Sequence, residues 1–269
     1  VIRSLWKGTI SFGMVAIPAK LFTAADDKKV QLHLLHRSCQ TRIQLPKWCP
    51  SCQQKVEPTD LQRVYEFAKG QYVPLEDADL EKLPLKTLKT VEVVEFVDPK
   101  GIDPRAVEKS FFLAPDEEMG GKAFCLLLKA MEATGLCAVA KLARGEREHL
   151  ALLRPYGKLL LLQTLFYADE LRDPGVIPAP EMAVSERELA MALNLVKALR
   201  VEKLDLSKFH DDYREAFYTL IEAKIAGKEL KAVEAPVPTG AVDLESSLMA
   251  SIEAILAQKG VEPEQAKVA

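Results

Sequence analysis

Net charge is nearly absent from this sequence. Its 269 residues carry 36 Lys and Arg against 39 Asp and Glu, a formal −3. That excludes a chain that binds polyanions through overall basicity, though not one with a local basic surface. Long apolar runs are also missing. The longest, Leu159–Leu162 among them, fall far short of the roughly 18 residues a membrane helix needs and fit a buried strand or helix face. No apolar core of a leader follows the opening Val1–Lys7, so a secretory signal is not expected. Cysteine is sparse and odd in number, five in all, and three of the five lie between Cys39 and Cys52. This argues against a disulfide framework and for a reducing compartment and a metal. The signatures of metalloproteases, phosphate-binding loops and nucleophile elbows are absent. The His-x-Glu and Pro-Cys-x-x-Cys pair of zinc deaminases is absent too, because the proline here falls inside the cysteine pair. His149 and His210 stand alone and read as packing or surface residues.

What charge there is lies unevenly. Residues 1–60 hold nine Lys/Arg and four Asp/Glu, whereas residues 61–136 hold ten and fourteen, and residues 232–269 two and six. The blocks 137–184 and 185–231 balance. An anionic partner would meet the first block before the others.

The pattern along the chain is strand first and helix later. Residues 8–22 alternate through Ile10, Phe12, Met14 and Ile17 with Gly8, Gly13 and Pro18 as punctuation, which predicts bent β structure. Residues 91–97 and 110–113 read as strands. From 121, Phe124, Leu127, Leu128 and Met131 recur at helical spacing and Gly135 is placed as a stop. Three strands follow, at 137–143, 149–154 and 158–167, joined by tight turns as a meander. Residues 173–180 are a Pro- and Gly-rich linker. Ser185 with Glu188 then predicts a capping box for a helix whose apolar positions are Leu189, Leu193, Val196 and Leu199. A second helix is expected over 210–227, with Tyr213, Phe217, Leu220 and Lys224 on one stripe. Past the Pro-rich stretch 235–240, Asp243 caps a short helix with Leu244, Leu248, Ile252 and Ile255 on its apolar face. No internal repeat is evident.

The cysteine cluster reads as His36-x2-Cys39-x9-Cys49-x2-Cys52. A two-residue gap lets both side chains of a knuckle face one ion, and four such ligands close a tetrahedral site with no open position. The expectation is a structural Zn²⁺ whose binding is coupled to folding. His33 competes with His36 as the fourth ligand. Cys125 and Cys137 lie in apolar runs and read as core residues.

The opening Arg3-Ser-Leu-Trp6-Lys-Gly8-Thr-Ile-Ser-Phe12-Gly13 through Pro18-Ala-Lys20-Leu-Phe-Thr closely resembles the N-terminus of the bacterial Ku proteins. The resemblance continues through His33 to Cys52, Tyr65-Glu-Phe-Ala-Lys-Gly70, Val94-Glu-Phe-Val-Asp and Phe112-Leu-Ala-Pro-Asp116. It returns at Arg147-Glu-His149 through Pro-Tyr-Gly157 and at Tyr167-Ala-Asp-Glu170-Leu-Arg172. It implies an α+β fold: a Ku-type β-barrel core, a bridge excursion that encircles DNA, and a helical C-terminal arm that embraces a second subunit. The expected division is a core over 1–180, including a bridge with the zinc knuckles at about 23–75, then a dimerisation arm over 181–232. A Pro-rich tether and a short ligase-recruiting helix over 233–269 complete it.

The function so implied is non-enzymatic. A homodimeric ring threads onto double-stranded DNA ends without sequence specificity and recruits an ATP-dependent DNA ligase for non-homologous end joining, in the cytoplasm at the bacterial nucleoid. A ring that slides on any sequence must contact phosphate and sugar. Arg37, Arg42 and Lys47, which flank the cysteine cluster, are the first candidates for this, followed by Arg3, Lys7 and Lys20, then Arg144 and Arg147. Leu244, Leu248, Ile252 and Ile255 are the expected ligase-docking stripe. Many family members end in a Lys-rich tail. Residues 232–269 are acidic instead, so the ring itself is expected to supply the DNA affinity. The competing reading is a zinc-stabilised protein-interaction scaffold without DNA-end specificity, which would not distinguish linear from circular duplex.

Overall fold

Where turn residues bound an alternating apolar pattern, the chain forms hairpins. The structure is a computed structural model that describes residues 3–76, 78–79, 82, 89–116, 120–144, 147–179, 181–227, 247–252 and 254. Strand β1 (Trp6–Phe12) turns at Gly13, whose φ of 57° suits glycine, into β2 (Val15–Thr23), with Ile10 opposite Ile17. The chain then leaves for a long excursion with two small sheets of its own. These are β3 (Trp48–Cys49) with β4 (Gln54–Lys55), and β5 (Arg63–Ala68) with β6 (Gln71–Leu75). It returns as β7 (Thr90–Val97), which pairs in parallel with β1. Strands β2 and β7 flank β1 on either side, so the excursion joins two barrel strands that are not themselves paired.

Strand β8 (Val107–Pro115) and helix α1 (Gly121–Thr134) precede the expected meander of β9 (Cys137–Arg144), β10 (Arg147–Tyr156) and β11 (Leu159–Leu165). The seven long strands close in the order β1-β2-β8-β11-β10-β9-β7, antiparallel everywhere except β1–β7. Closure leaves the barrel sheet without a free edge. Gly135 stops α1 as predicted, at φ 68°, its N–H donating to the Met131 carbonyl at 2.9 Å. At Gly8 a Cβ would collide with the Trp6 ring and the Lys89 carbonyl, so only glycine lets β1 pass there.

One side of the alternation fills the barrel. Ile10, Ile17, Leu21, Val91, Leu113, Leu142, Leu153, Leu160 and Leu162 are fully enclosed, and Phe124, Leu127 and Met131 of α1 join the same cluster. Each such side chain contributes roughly 1.5–3 kcal/mol through burial. Cys137 belongs to a smaller cluster with Leu152 and Leu165, as its apolar setting predicted. Cys125, expected in the core, is exposed on α1. It lies one position past buried Phe124, and that step of about 100° carries it off the core stripe.

The chain divides into two compact units, Val1–Pro174 and Gly175–Ala269, at a point inside the expected linker. The second unit contains α2 (Glu186–Leu199) and α3 (Asp212–Ile225). The Ser185 capping box forms: the Glu188 amide donates to Ser185 Oγ at 3.2 Å and the Ser185 amide to Glu188 Oε2 at 2.8 Å. Neither helix buries a residue, and Leu189, Leu193, Val196, Leu199 and Tyr213 are all exposed. Residues 247–252 are helical, within the last helix expected; Leu248 and Ile252 are half-buried there, and Leu244 and Ile255 lie outside the described residues.

Candidate functional site

Nothing between residues 22 and 90 is buried among the described residues. Within this coreless excursion, backbone hydrogen bonds build two small knuckles. In the first, Leu35 bridges Arg42, the His36 amide donates to the Thr41 carbonyl at 2.8 Å, and the Ile43 amide to the Leu34 carbonyl at 2.9 Å. In the second, Trp48 pairs with Lys55, Cys49 with Gln54, and the Val56 amide donates to the Lys47 carbonyl at 2.9 Å. The first brings His36 Nδ1 to 3.1 Å from Cys39 Sγ. The second brings Cys49 and Cys52 into hydrogen-bonding contact.

The Thr41 hydroxyl, then its amide, holds the Cys39 thiol below the usual thiol range. The Cys52 amide and thiol do the same for Cys49, and Cys49 in turn pushes Cys52 up. His33 is engaged elsewhere, its Nδ1 accepting from Arg42 Nη2 at 3.0 Å. Among the described residues no three metal-ligating side chains gather in one group, so the structure forms the two predicted ligand pairs without joining them.

The candidate cations fall into three settings. Arg37, Arg42 and Lys47 are exposed on and between the knuckles, in a stretch the block counts blurred. Residues 28–55 contain Lys28, Lys29, Arg37, Arg42, Lys47 and Lys55 and no Asp or Glu at all. Lys7 and Lys20 are cross-strand neighbours on β1 and β2, with exposed Arg3 just before them. Lys20 also meets Asp116 at 2.9 Å. Arg147, at the start of β10, is held in a two-pronged pair by Glu170, with Nη1–Oε1 at 3.0 Å and Nη2–Oε2 at 3.2 Å. Arg144 lies over the Phe111 ring, 4.7 Å from its centroid. Arg147 and Arg144 are thus each already engaged by the protein, one by a carboxylate and one by an aromatic face.

Arg144 and His149 also line a cavity of about 340 Å³ with Glu108, Lys109, Phe111 and Thr164. Burial, then the charge of Arg147, holds His149 below its ordinary value of 6.5, against the pull of Glu108. Its Nδ1 has no partner among the described residues.

Residues 11–191 match the sequence profile of the Ku70/Ku80 beta-barrel domain. The chain belongs to the Ku family. The non-homologous end joining protein Ku of Symbiobacterium thermophilum is 41% identical over 263 residues, covering 96% of this chain and 64% of that relative. The protein of the same name from Archaeoglobus fulgidus is 38% identical over 259 residues, covering 94% of this chain and all of the relative. That of Bacillus subtilis is 35% identical over 257 residues, covering 94% and 82%. The chain thus spans just under two thirds of one relative's length and the whole of another's. The closed seven-stranded barrel is the Ku barrel, and the excursion is an insertion between β2 and β7, the two strands that flank β1. No helix among the described residues is long and apolar enough to cross a membrane.

Proposed function

We propose that two copies of this chain form a ring that holds double-stranded DNA ends without reading their sequence and serves non-homologous end joining as a non-enzymatic scaffold. The observation that carries this reading is the acid-free stretch 28–55, six cations inserted into a Ku barrel on an excursion that buries nothing. Such a stretch gains energy from phosphates and has no base-reading helix, so affinity should fall with log salt at a slope near −0.9 per phosphate neutralised. The names of the relatives, non-homologous end joining proteins, support the pathway. The exposed apolar positions of α2 and α3 suit a second copy, since apolar and aromatic side chains mark the core of protein interfaces rather than of phosphate-binding surfaces. Residues 241–269, acidic and tethered, suit an ATP-dependent ligase better than DNA.

The test is binding to one duplex in two topologies, linear and covalently closed. A ring retains the linear form and loses most affinity for the circle. Equal affinity for both would refute threading and favour the scaffold reading. Removal of residues 241–269 should leave linear binding intact while abolishing ligase stimulation.

A further inference from the structure

The inward rows of the barrel end in polar residues on four neighbouring strands. Phe111 on β8, Leu142 on β9, Ala151 on β10 and Leu162 on β11 all belong to the core. Two residues away, on the same face of each strand, stand Lys109, Arg144, His149 and Thr164. Because these strands run antiparallel to their neighbours, all four steps lead to the same end of the barrel. The four residues line the cavity of about 340 Å³ together with Glu108 and Phe111. Arg144 reaches across this mouth. Its guanidinium lies 4.7 Å from the centroid of the Phe111 ring, although β10 and β11 separate the two strands in the sheet.

The charges of this cavity favour an anion. Its carboxylate, Glu108, already accepts from the Thr164 hydroxyl at 3.1 Å and stands 3.5 Å from Lys109 Nζ. Arg144 has no carboxylate partner among the described residues. Stacking on an aromatic face holds a guanidinium in place and leaves its in-plane N–H donors for a ligand. Burial, then Arg147, and also Arg144 keep His149 uncharged against the pull of Glu108, so positive potential prevails there. We propose that this barrel mouth binds a phosphomonoester, its oxygens on Arg144 and Lys109. The guanidinium fork matches a phosphate with two parallel hydrogen bonds, and Lys109 adds a point charge. A hydroxyl carried beside the phosphate supplies the donor that buried His149 Nδ1 lacks among the described residues. Barrel mouths are favoured ligand sites, and the volume lies within the roughly 300–1,000 Å³ of small-molecule pockets. The group arrives either on a free nucleotide or at the end of a DNA strand, and the site itself needs neither a ring nor threading.

The test is calorimetric titration of the full chain with deoxyadenosine monophosphate, with phosphate-free deoxyadenosine as control. The nucleotide should bind once per chain and the nucleoside should not bind. Arg144→Gln should weaken the nucleotide by about tenfold or more, the usual weight of a charged hydrogen bond. Lys109→Gln, at a more exposed position, should weaken it severalfold. Lys122→Gln, on α1, should leave it unchanged, and thermal unfolding should show each variant folded. No binding to the parent, equal binding of the nucleoside, or full-strength binding to both Arg144→Gln and Lys109→Gln would overturn the proposal. Linear duplexes ending in a phosphate or in a hydroxyl then identify the source. A preference of the parent for phosphate ends that disappears in Arg144→Gln assigns a strand end, and equal affinity assigns a free nucleotide. Equal binding of linear and circular duplex would refute the ring without touching this site, and absent nucleotide binding would refute this site without touching the ring.

Discussion

The barrel and its excursion are built on opposite terms. The barrel strands and α1 supply all the buried apolar residues, from Ile10, Ile17 and Leu21 to Leu160, Leu162 and Leu165. From 22 to 90 no described residue is buried, although the stretch holds Leu32, Leu45, Trp48, Tyr65, Phe67 and Tyr72. Isolated two-stranded hairpins such as β5–β6 are at best marginally stable in water. The barrel thus carries a core of its own, whereas the excursion buries none of its described residues. The helices α2 and α3 resemble the excursion in this respect, with no residue buried.

Perturbations of equal size should therefore have very unequal effects. The largest is expected in the barrel. Leu162→Ala removes a fully enclosed side chain and should cost about 2–5 kcal/mol. Phe67→Ala, on the exposed β5–β6 hairpin, should stay within about 0.5 kcal/mol for the free chain. Urea denaturation of both variants measures the contrast, and comparable losses would break it.

Next in size is the helical unit. If a second copy encloses Phe217, whose ring stands 6.2 Å from that of Tyr213, Phe217→Ala should weaken dimerisation by about 2 kcal/mol while leaving the barrel's thermal transition in place. Analytical ultracentrifugation at nanomolar concentration checks this, and a dimer that persists after truncation at Pro180 would contradict it. A smaller effect belongs to the knuckles. Arg37→Ala should reduce the salt slope of DNA binding by about 0.9, with no change in the stability of the free protein.

The smallest effect concerns pH. Because burial lowers His149, the unfolded chain binds its proton more readily than the folded one. The stability tied to neutral His149 is fully present above about 6.5 and is lost as pH falls through the lower folded value. Denaturation at pH 7.5 and 5.5 should show a slightly shallower acid decline in His149→Gln than in the parent. An identical decline would remove His149 from the account.

The same contrast explains what could be read from the sequence. The barrel strands and α1 were legible because each has a buried face, and burial writes an alternating or helical pattern into the residues. The stops at Gly135 and the capping box at Ser185–Glu188 were legible because their chemistry is local. The excursion hairpins carry no such pattern. In β5, Val64, Tyr65 and Phe67 put apolar side chains on both faces, so period-two reasoning missed both β5 and β6. Strands β8 and β10 run longer than their apolar centres suggested, β8 from Val107 rather than Ser110, because its ends pair without being enclosed. No pattern could show that Lys20 faces Asp116 or Arg147 faces Glu170, since both partners come from distant sequence.

Amide hydrogen exchange on the full chain, free and bound to a short linear duplex, compares the two regions in one experiment. The account predicts slow exchange in β9, β10 and β11 under both conditions. It predicts rapid exchange across residues 28–75 in the free protein, replaced on DNA by protection centred on 28–55. Protection confined to the barrel, or an excursion as slow as the barrel before any DNA is added, would contradict it.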